Sequence, residues 1–253
     1  MKPYLLSEAN WKMLKDYRYE LAILPWGATE AHNYHLPYGT DNYEAISIAE
    51  SSAKKAWENG GKVVVLPNIP FGVNTGQSDI YLDMNIMPTT QLYILRDLLT
   101  VLNRQGIKKF LILNSHGGND FKWILRELGL EFPEMLLLSC DWFKAIPKEK
   151  FFNNSGDHAD ELETSIIMHL RPDLVLPLDQ SGDGEETKSA ISAIKEGWAW
   201  SERKWSKVSK DTGIGNPKEA SEEKGKMYFE EVTSKVCDLI LDILKVQGND
   251  HYL

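Results

Sequence analysis

Lys108-Lys-Phe-Leu-Ile-Leu-Asn114, running on into Ser115-His116-Gly117-Gly118-Asn119, reads as a short apolar strand that stops in a polar, glycine-bearing turn. A brief apolar run bounded by turn signals marks a strand buried on both faces. Three further runs rich in β-branched and aliphatic residues have the same form: Glu20–Trp26, Lys62–Pro67 and Met135–Asp141. Amphipathic stretches of helical length separate them, at about Asn42–Glu58, Thr89–Gln105 and Asn119–Leu130. Parallel strands need crossover connections of about a dozen residues or more, and these stretches supply them. The alternation therefore predicts an α/β chain with a mostly parallel sheet covered by helices. Two later helices are expected over Asp160–Leu170 and Lys218–Val246, with Leu174–Leu178 as one more short strand.

With 253 residues and 42% hydrophobic content, a single domain over residues 1–253 can bury one substantial core. The 28 basic and 37 acidic residues give a formal charge of −9, spread over mixed-sign segments. That distribution argues against nucleic acid as a partner. The opening Met1–Asn10 has no basic region followed by an apolar stretch, and no apolar run is long enough to span a membrane. A soluble, cytoplasmic protein with no membrane partner is the expectation. Cys140 and Cys237 are far apart in apolar segments, which favours reduced thiols over a disulfide framework. Trp198, Trp200 and Trp205 read as packing residues. Ser221–Gly225 reads as a solvated helical face, and no internal repeat is evident.

The chemistry gathers where strands are expected to end. Ligands of an open parallel sheet collect at the carboxyl ends of its strands, where loops converge and helix N-termini point inward. Pro25-Trp-Gly-Ala-Thr-Glu30-Ala-His32-Asn-Tyr-His35 continues to Asp41 after the first strand, and Asn114-Ser-His116-Gly-Gly-Asn119 follows the third. A further cluster, Asp157-His158-Ala-Asp160-Glu161-Leu-Glu163, heads a predicted helix. Residues two apart on extended backbone face the same way, with α-carbons about 6 to 7 Å apart. Glu30 and His32 could thus each serve one of two ions about 3.5 to 4 Å apart. Asp41 would bridge them, His116 would complete the shell of the first and Glu163 would serve the second. Mixed imidazole and carboxylate donors suit zinc, manganese or iron. Singly, each residue has a plainer reading: a hydrogen-bonded histidine, a helix N-cap at Asp41, a solvated Glu163. Four of the six histidines in three loops favour the joint one. Gly117 and Gly118 would allow close backbone approach beneath such a cluster.

These segments resemble those of the creatininase, or creatinine amidohydrolase, family. The matching residues are Gly27-Ala-Thr-Glu30-Ala-His32, His35-Leu-Pro with Asp41, Asn114-Ser-His116-Gly-Gly-Asn119, and His158-Ala-Asp-Glu-Leu-Glu163-Thr-Ser165. Gly213-Ile-Gly-Asn-Pro217 with Ala220-Ser221 and Lys224-Gly225 is similar to the family's late glycine-rich loop and helix start. The resemblance implies a three-layer αβα fold, a binuclear site and a homo-oligomer, often a hexamer. It also implies that Glu30, Asp41 and His116 hold one metal, while His32, Asp41 and a further Glu hold the other. Creatininase carries that Glu two residues after the histidine of the third-strand loop, where this chain has Gly118, so Glu163 is assigned in its place. Several departures point away from creatinine as substrate: Trp142 is shifted by one position, Asn85-Ile-Met-Pro88 replaces Phe-Pro-Gly-Thr, and a histidine is missing from Gly76–Leu82. Other branches of the family act on formamides of pyrimidine or deazaflavin precursors, or on a peptide-derived cofactor precursor.

The expected reaction is hydrolysis of a non-peptide C–N bond, a cyclic amide or formamide, in a small polar molecule by water activated between two divalent ions. His158 would carry a proton to the leaving nitrogen, oriented or assisted by Asp157 or Asp160. Phosphate-ester hydrolysis would call for basic residues at the site, and the three motif loops contain no Arg or Lys. The alternative outside enzymes is a non-catalytic metal- or ligand-binding protein that keeps the scaffold.

Overall fold

The computed structural model describes residues 2–154 and 156–252. Its sheet comprises β1 (Leu21–Trp26), β2 (Val63–Val65), β3 (Lys109–Asn114) and β4 (Leu136–Asp141) in the order β2-β1-β3-β4. Every pairing in it is parallel, with Ile23 opposite Leu111 and Leu111 opposite Leu138. The helices are α1 (Trp11–Leu14), α2 (Thr40–Glu58), α3 (Pro88–Arg104), α4 (Lys122–Glu131), α5 (Glu161–Leu170), α6 (Ser192–Lys195), α7 (Trp205–Val208) and α8 (Glu222–Lys245). The strand expected at Leu174–Leu178 does not form. Pro177 has no N–H for a ladder, the Leu176 N–H donates to the His35 carbonyl (3.0 Å), and short 3-10 turns flank the stretch at Pro172–Leu174 and Leu178–Gln180.

Alternation along β1 sorts the core into two layers, because successive side chains on a strand point to opposite faces. Leu21 and Ile23 pack with Ile48 and Ala53 of α2, Leu162 and Ile166 of α5, and Val236 and Ile240 of α8. Ala22, Leu24 and Trp26 pack on the other face with Leu95 and Leu99 of α3 and Ile124 and Leu128 of α4. The result is three layers, helices on both sides of the sheet. Local signals set the ends of these helices. Pro88 opens α3 at a position where a missing N–H costs nothing. The Asp160 carboxylate caps α5 by accepting the Leu162 and Glu163 N–H groups, and Ser221 caps α8 by accepting from Lys224. Glu222 and Glu223 are solvated as expected, but Gly225 is buried.

The strand order decides where a ligand can enter. From β1 the chain leaves through α2 on one face, and from the adjacent β3 it leaves through α4 on the other. That reversal opens a crevice beyond the carboxyl ends of β1 and β3. Among the described residues no helix is long and apolar enough to cross a membrane. Cys140 and Cys237 are free, and burial pushes the Cys140 thiol up to about 11, which makes it inert at neutral pH.

Candidate metal centre

Four segments converge in that crevice. Glu30 and His32 come from the loop after β1, Asp41 from the first turn of α2, His116 from the loop after β3, and His158 and Glu163 from the approach to α5 and its first turn. Glu30, Asp41 and His116 bring ligand atoms within 4.8 Å of one another, and so do His32, Asp41 and Glu163. Asp41 belongs to both groups and divides its oxygens between them. Its Oδ1 lies 3.0 Å from His32 Nε2 and its Oδ2 3.1 Å from His116 Nδ1.

Backbone carbonyls aim the imidazoles. A carbonyl can only accept, so the ring nitrogen facing it carries a proton and the other nitrogen is turned toward the site. His32 Nδ1 donates to the Glu30 carbonyl (3.0 Å), His116 Nε2 to the Val73 carbonyl (3.1 Å) and His158 Nε2 to the Ala31 carbonyl (2.8 Å). Val73 is itself held, through its N–H, by the asparagines around the end of β3. Asn119 Oδ1 accepts the Val73 N–H (3.1 Å), while Asn119 Nδ2 donates to Asn114 Oδ1 (3.0 Å). Gln77 Nε2 donates to Glu30 Oε2, and the Ala159 N–H donates to Glu163 Oε2. Ala159 makes that second contact at a φ of 49°, a left-handed conformation that costs a non-glycine residue energy and recurs at functional sites.

The donor set fits divalent cations. With their outer nitrogens committed to carbonyls, His32 and His116 would present lone pairs to the lone pairs of Asp41 and Glu30 unless a proton or a cation lies between. Burial works against a charge on His32, yet Asp41, Glu163 and Glu30 outweigh it and raise its pKa to about 10. Burial likewise opposes the charge on His116, and Glu30 and Asp41 lift it well above its ordinary value. Burial alone would raise Glu30 and Asp41, and the neighbouring imidazoles bring both below the usual carboxylate range. Glu163 is pushed up to about 8 by burial, with Asp41 and Asp160 adding to it. Glu44, one turn along α2 from Asp41, is raised well above its ordinary value by burial and then by Glu163. At Glu163 and Glu44 the crowding of acids thus exceeds what the imidazoles relieve, the condition that a bound metal removes.

The plainer readings of Asp41 and Glu163 do not hold. Gly39, not Asp41, caps α2, and Asp41 is 1% exposed. The Glu163 side chain is only 17% exposed. Asp157 and Asp160 require correction as partners of His158. The Asp160 carboxylate is taken up as the α5 cap and by Lys148 Nζ (3.3 Å), and Asp157 turns outward to Arg203 (2.6 Å). The acid facing His158 is Glu30, 3.8 Å from Nδ1. Gly118 does allow close approach, since a side chain there would run into His116 and the Val73 carbonyl; Gly117 has open space around it. Trp198 and Trp200 are exposed rather than packed, and Trp200 and Trp205 line the cavity beside the centre. Arg203 reaches the same cavity, so a basic residue adjoins the site although none lies in its motif loops. Gln77, Trp200, Arg203 and Trp205 carry no spacing that ties them to the motifs.

His35 stays outside both groups, buried and hydrogen-bonded through Nε2 to Thr164 Oγ1 (2.8 Å). Burial, and then the charge on His32, push its pKa down from 6.5 to about 4. As pH falls through that window the unfolded chain takes up a proton that the folded one refuses, so stability is lost. Relative to His35→Gln, the wild type should lose up to about 3 kcal/mol between pH 6.5 and pH 4. Urea denaturation of both proteins in chelator across this range measures it, and parallel curves would refute it.

One family pattern, creatininase, described as creatinine amidohydrolase, matches residues 7–240. The chain belongs to the creatininase family. The mycofactocin precursor peptide peptidase of Mycolicibacterium smegmatis is 24% identical over 227 residues, covering 87% of this chain and 84% of that protein. The creatinine amidohydrolase of Pseudomonas putida is 24% identical over 201 residues, covering 69% and 74%. Among solved structures, a candidate creatinine amidohydrolase from Bacteroides fragilis NCTC 9343 is 39% identical, with a TM-score of 0.93 over 100% of both chains. A crystal structure of creatininase superposes with a TM-score of 0.79 at 19% identity over 98% of this chain and 100% of that one, and shares the fold. The creatininase family is thus one of hydrolases.

Proposed function

We propose that the chain is a metal-dependent hydrolase of a non-peptide C–N bond, a cyclic amide or formamide, in a small polar molecule. The observation that carries this reading is Asp41, a buried carboxylate with one oxygen toward each of two ligand groups. Glu30, Asp41 and His116 would hold one divalent ion, and His32, Asp41 and Glu163 the other. Solved creatininases of this fold include a zinc–zinc type and a manganese form, which supports zinc or manganese. When bound, such ions supply a water with its pKa lowered toward about 7 and a Lewis acid for the carbonyl.

The chain's own residues handle orientation and protons. Burial, and then the charge on His32, lower the His158 pKa from its ordinary value, which favours the uncharged imidazole. Its Nε2 proton is committed to Ala31, which leaves the Nδ1 lone pair facing Glu30. Nδ1 can take the proton released as water attacks the carbonyl carbon and return it to the nitrogen as the C–N bond breaks. Trp205 packs edge-on against the His158 ring, with centroids 4.9 Å apart, and keeps water from that side. A cavity of about 310 Å³ adjoins Glu30, His116 and His158, a size suited to a small molecule.

The test is a panel of amides, formamides and short peptides, assayed after chelation and reloading with zinc, manganese or iron. Hydrolysis should vanish with the metal and return with it. Glu30→Gln should lose about a hundredfold or more, since it removes a ligand charge and the acid that faces His158. Undiminished activity in Glu30→Gln, or protein purified without chelator and free of transition metal, would exclude the reading.

A further inference from the structure

A segment far from the motifs closes one side of the cavity. Residues 200–206 carry Trp200, Glu202, Arg203 and Trp205 to its rim, and three contacts fasten them there. Glu202 Oε1 accepts from Thr75 Oγ1 (2.9 Å), and Ser206 Oγ donates to Asp79. Between these, the Arg203 carbonyl lies against Gly76, where any side chain would collide with it. The wall is therefore built into a fixed position rather than draped over the site, which lowers the ordering cost of any ligand that uses it.

We propose that Arg203 is the anion-binding element of this wall and that the substrate is a small amide bearing a carboxylate; the amide part rests on the hydrolase reading above. The acids at the rim already have partners. Asp120 accepts the Lys122 N–H (3.1 Å), Glu202 is bound by Thr75, and Asp157 by Arg203. The guanidinium is in a different position. Among the described residues, its one charged partner is a single Asp157 oxygen, 2.6 Å from Nη2, and 45% of the side chain remains exposed. A guanidinium carries five donors in a planar fork matched to a carboxylate, so donors are left for a ligand. Its carbon lies 5.3 Å over the Trp205 ring, and that ring packs on His158. The run of contacts from guanidinium to indole to imidazole sets an anion subsite one residue away from the proton carrier. Arg203 is also the only lysine or arginine at this cavity among the described residues. A carboxylate held there would orient the far end of the substrate while its amide lies at Glu30, His116 and His158.

Calorimetric titration of the metal-loaded protein with succinamate and with succinamide, its neutral diamide counterpart, tests this. Wild type should bind succinamate about tenfold or more tightly than succinamide. Arg203→Gln should erase that preference and leave succinamide within about twofold of wild type, while Arg203→Lys should recover part of it. Three results overturn the proposal: no preference in wild type, including no binding of either ligand; a preference that survives Arg203→Gln, which would place the carboxylate on the metals; or equal weakening of both ligands, which would make Arg203 a strut of the wall. Hydrolysis is followed on the same samples. Binding with the expected pattern but no cleavage of any amide in the panel would remove the hydrolase reading and leave the anion subsite standing.

Discussion

Asp41→Asn should lower hydrolysis on the order of a thousandfold, the scale on which about 4 kcal/mol of lost ligand and charge stabilisation acts. It should also cut the bound metal from two ions per chain to one or none. Asparagine keeps the volume and leaves the start of α2 intact, because Gly39 caps that helix. What it loses is the second oxygen. Asp41 offers Oδ1 toward His32 and Oδ2 toward His116, whereas an amide offers one oxygen and points an NH2 group at the other imidazole. The side chain is fully buried, so no water can substitute easily for the missing donor. Elemental analysis counts the ions directly. Thermal midpoints with and without added zinc give a second readout, since a ligand bound only by the folded state stabilises it. The upward shift seen in wild type should shrink in the variant. Two ions retained, with activity within about tenfold of wild type, would show that Asp41 bridges nothing.

His158→Gln separates a proton carrier from a ligand. Glu30, His32 and His158 also bring ligand atoms within 4.8 Å of one another, so geometry alone allows His158 a place on a metal. If it carries the proton, kcat should fall by about 10² to 10⁴ while KM and the two ions stay nearly unchanged. Glutamine can still donate to the Ala31 carbonyl and so preserve the local contact, but it cannot exchange a proton near neutral pH. Loss of an ion along with activity would instead make His158 a ligand and move the proton transfer elsewhere.

The candidate donors were readable because their chemistry is local in sequence. Glu30 and His32 stand two apart on extended backbone after a strand, and His116 follows the next strand in the sheet at the matching end. The cap at Asp160 is equally local, yet in the sequence that acid reads as a partner of His158, and only the structure shows its carboxylate taken up by the Leu162 and Glu163 N–H groups. The cavity wall was not readable. Arg203 meets Gly76 across 127 positions through a carbonyl contact, and no periodicity encodes such a meeting. Trp198 and Trp200 misled for a related reason: aromatic spacing suggests packing, but both rings stand exposed, and Trp200 does so at the rim of the cavity. The failed strand at Leu174–Leu178 shows the same limit on a smaller scale, since a distant carbonyl, that of His35, took the N–H of Leu176.

By itself the sequence determined the alternation of strands and helices, the candidate donors and the family, because each depends on residues near one another along the chain or on their order. The tertiary structure alone decided how those donors divide. It turned one Asp41 oxygen toward each group, committed the outer nitrogens of His32, His116 and His158 to backbone carbonyls, and drew Asp157 away to Arg203. Hydrogen bonding and ion pairing act over about 3 to 4 Å in space, whatever the separation in sequence, so the choice of partner is made only when the chain has folded.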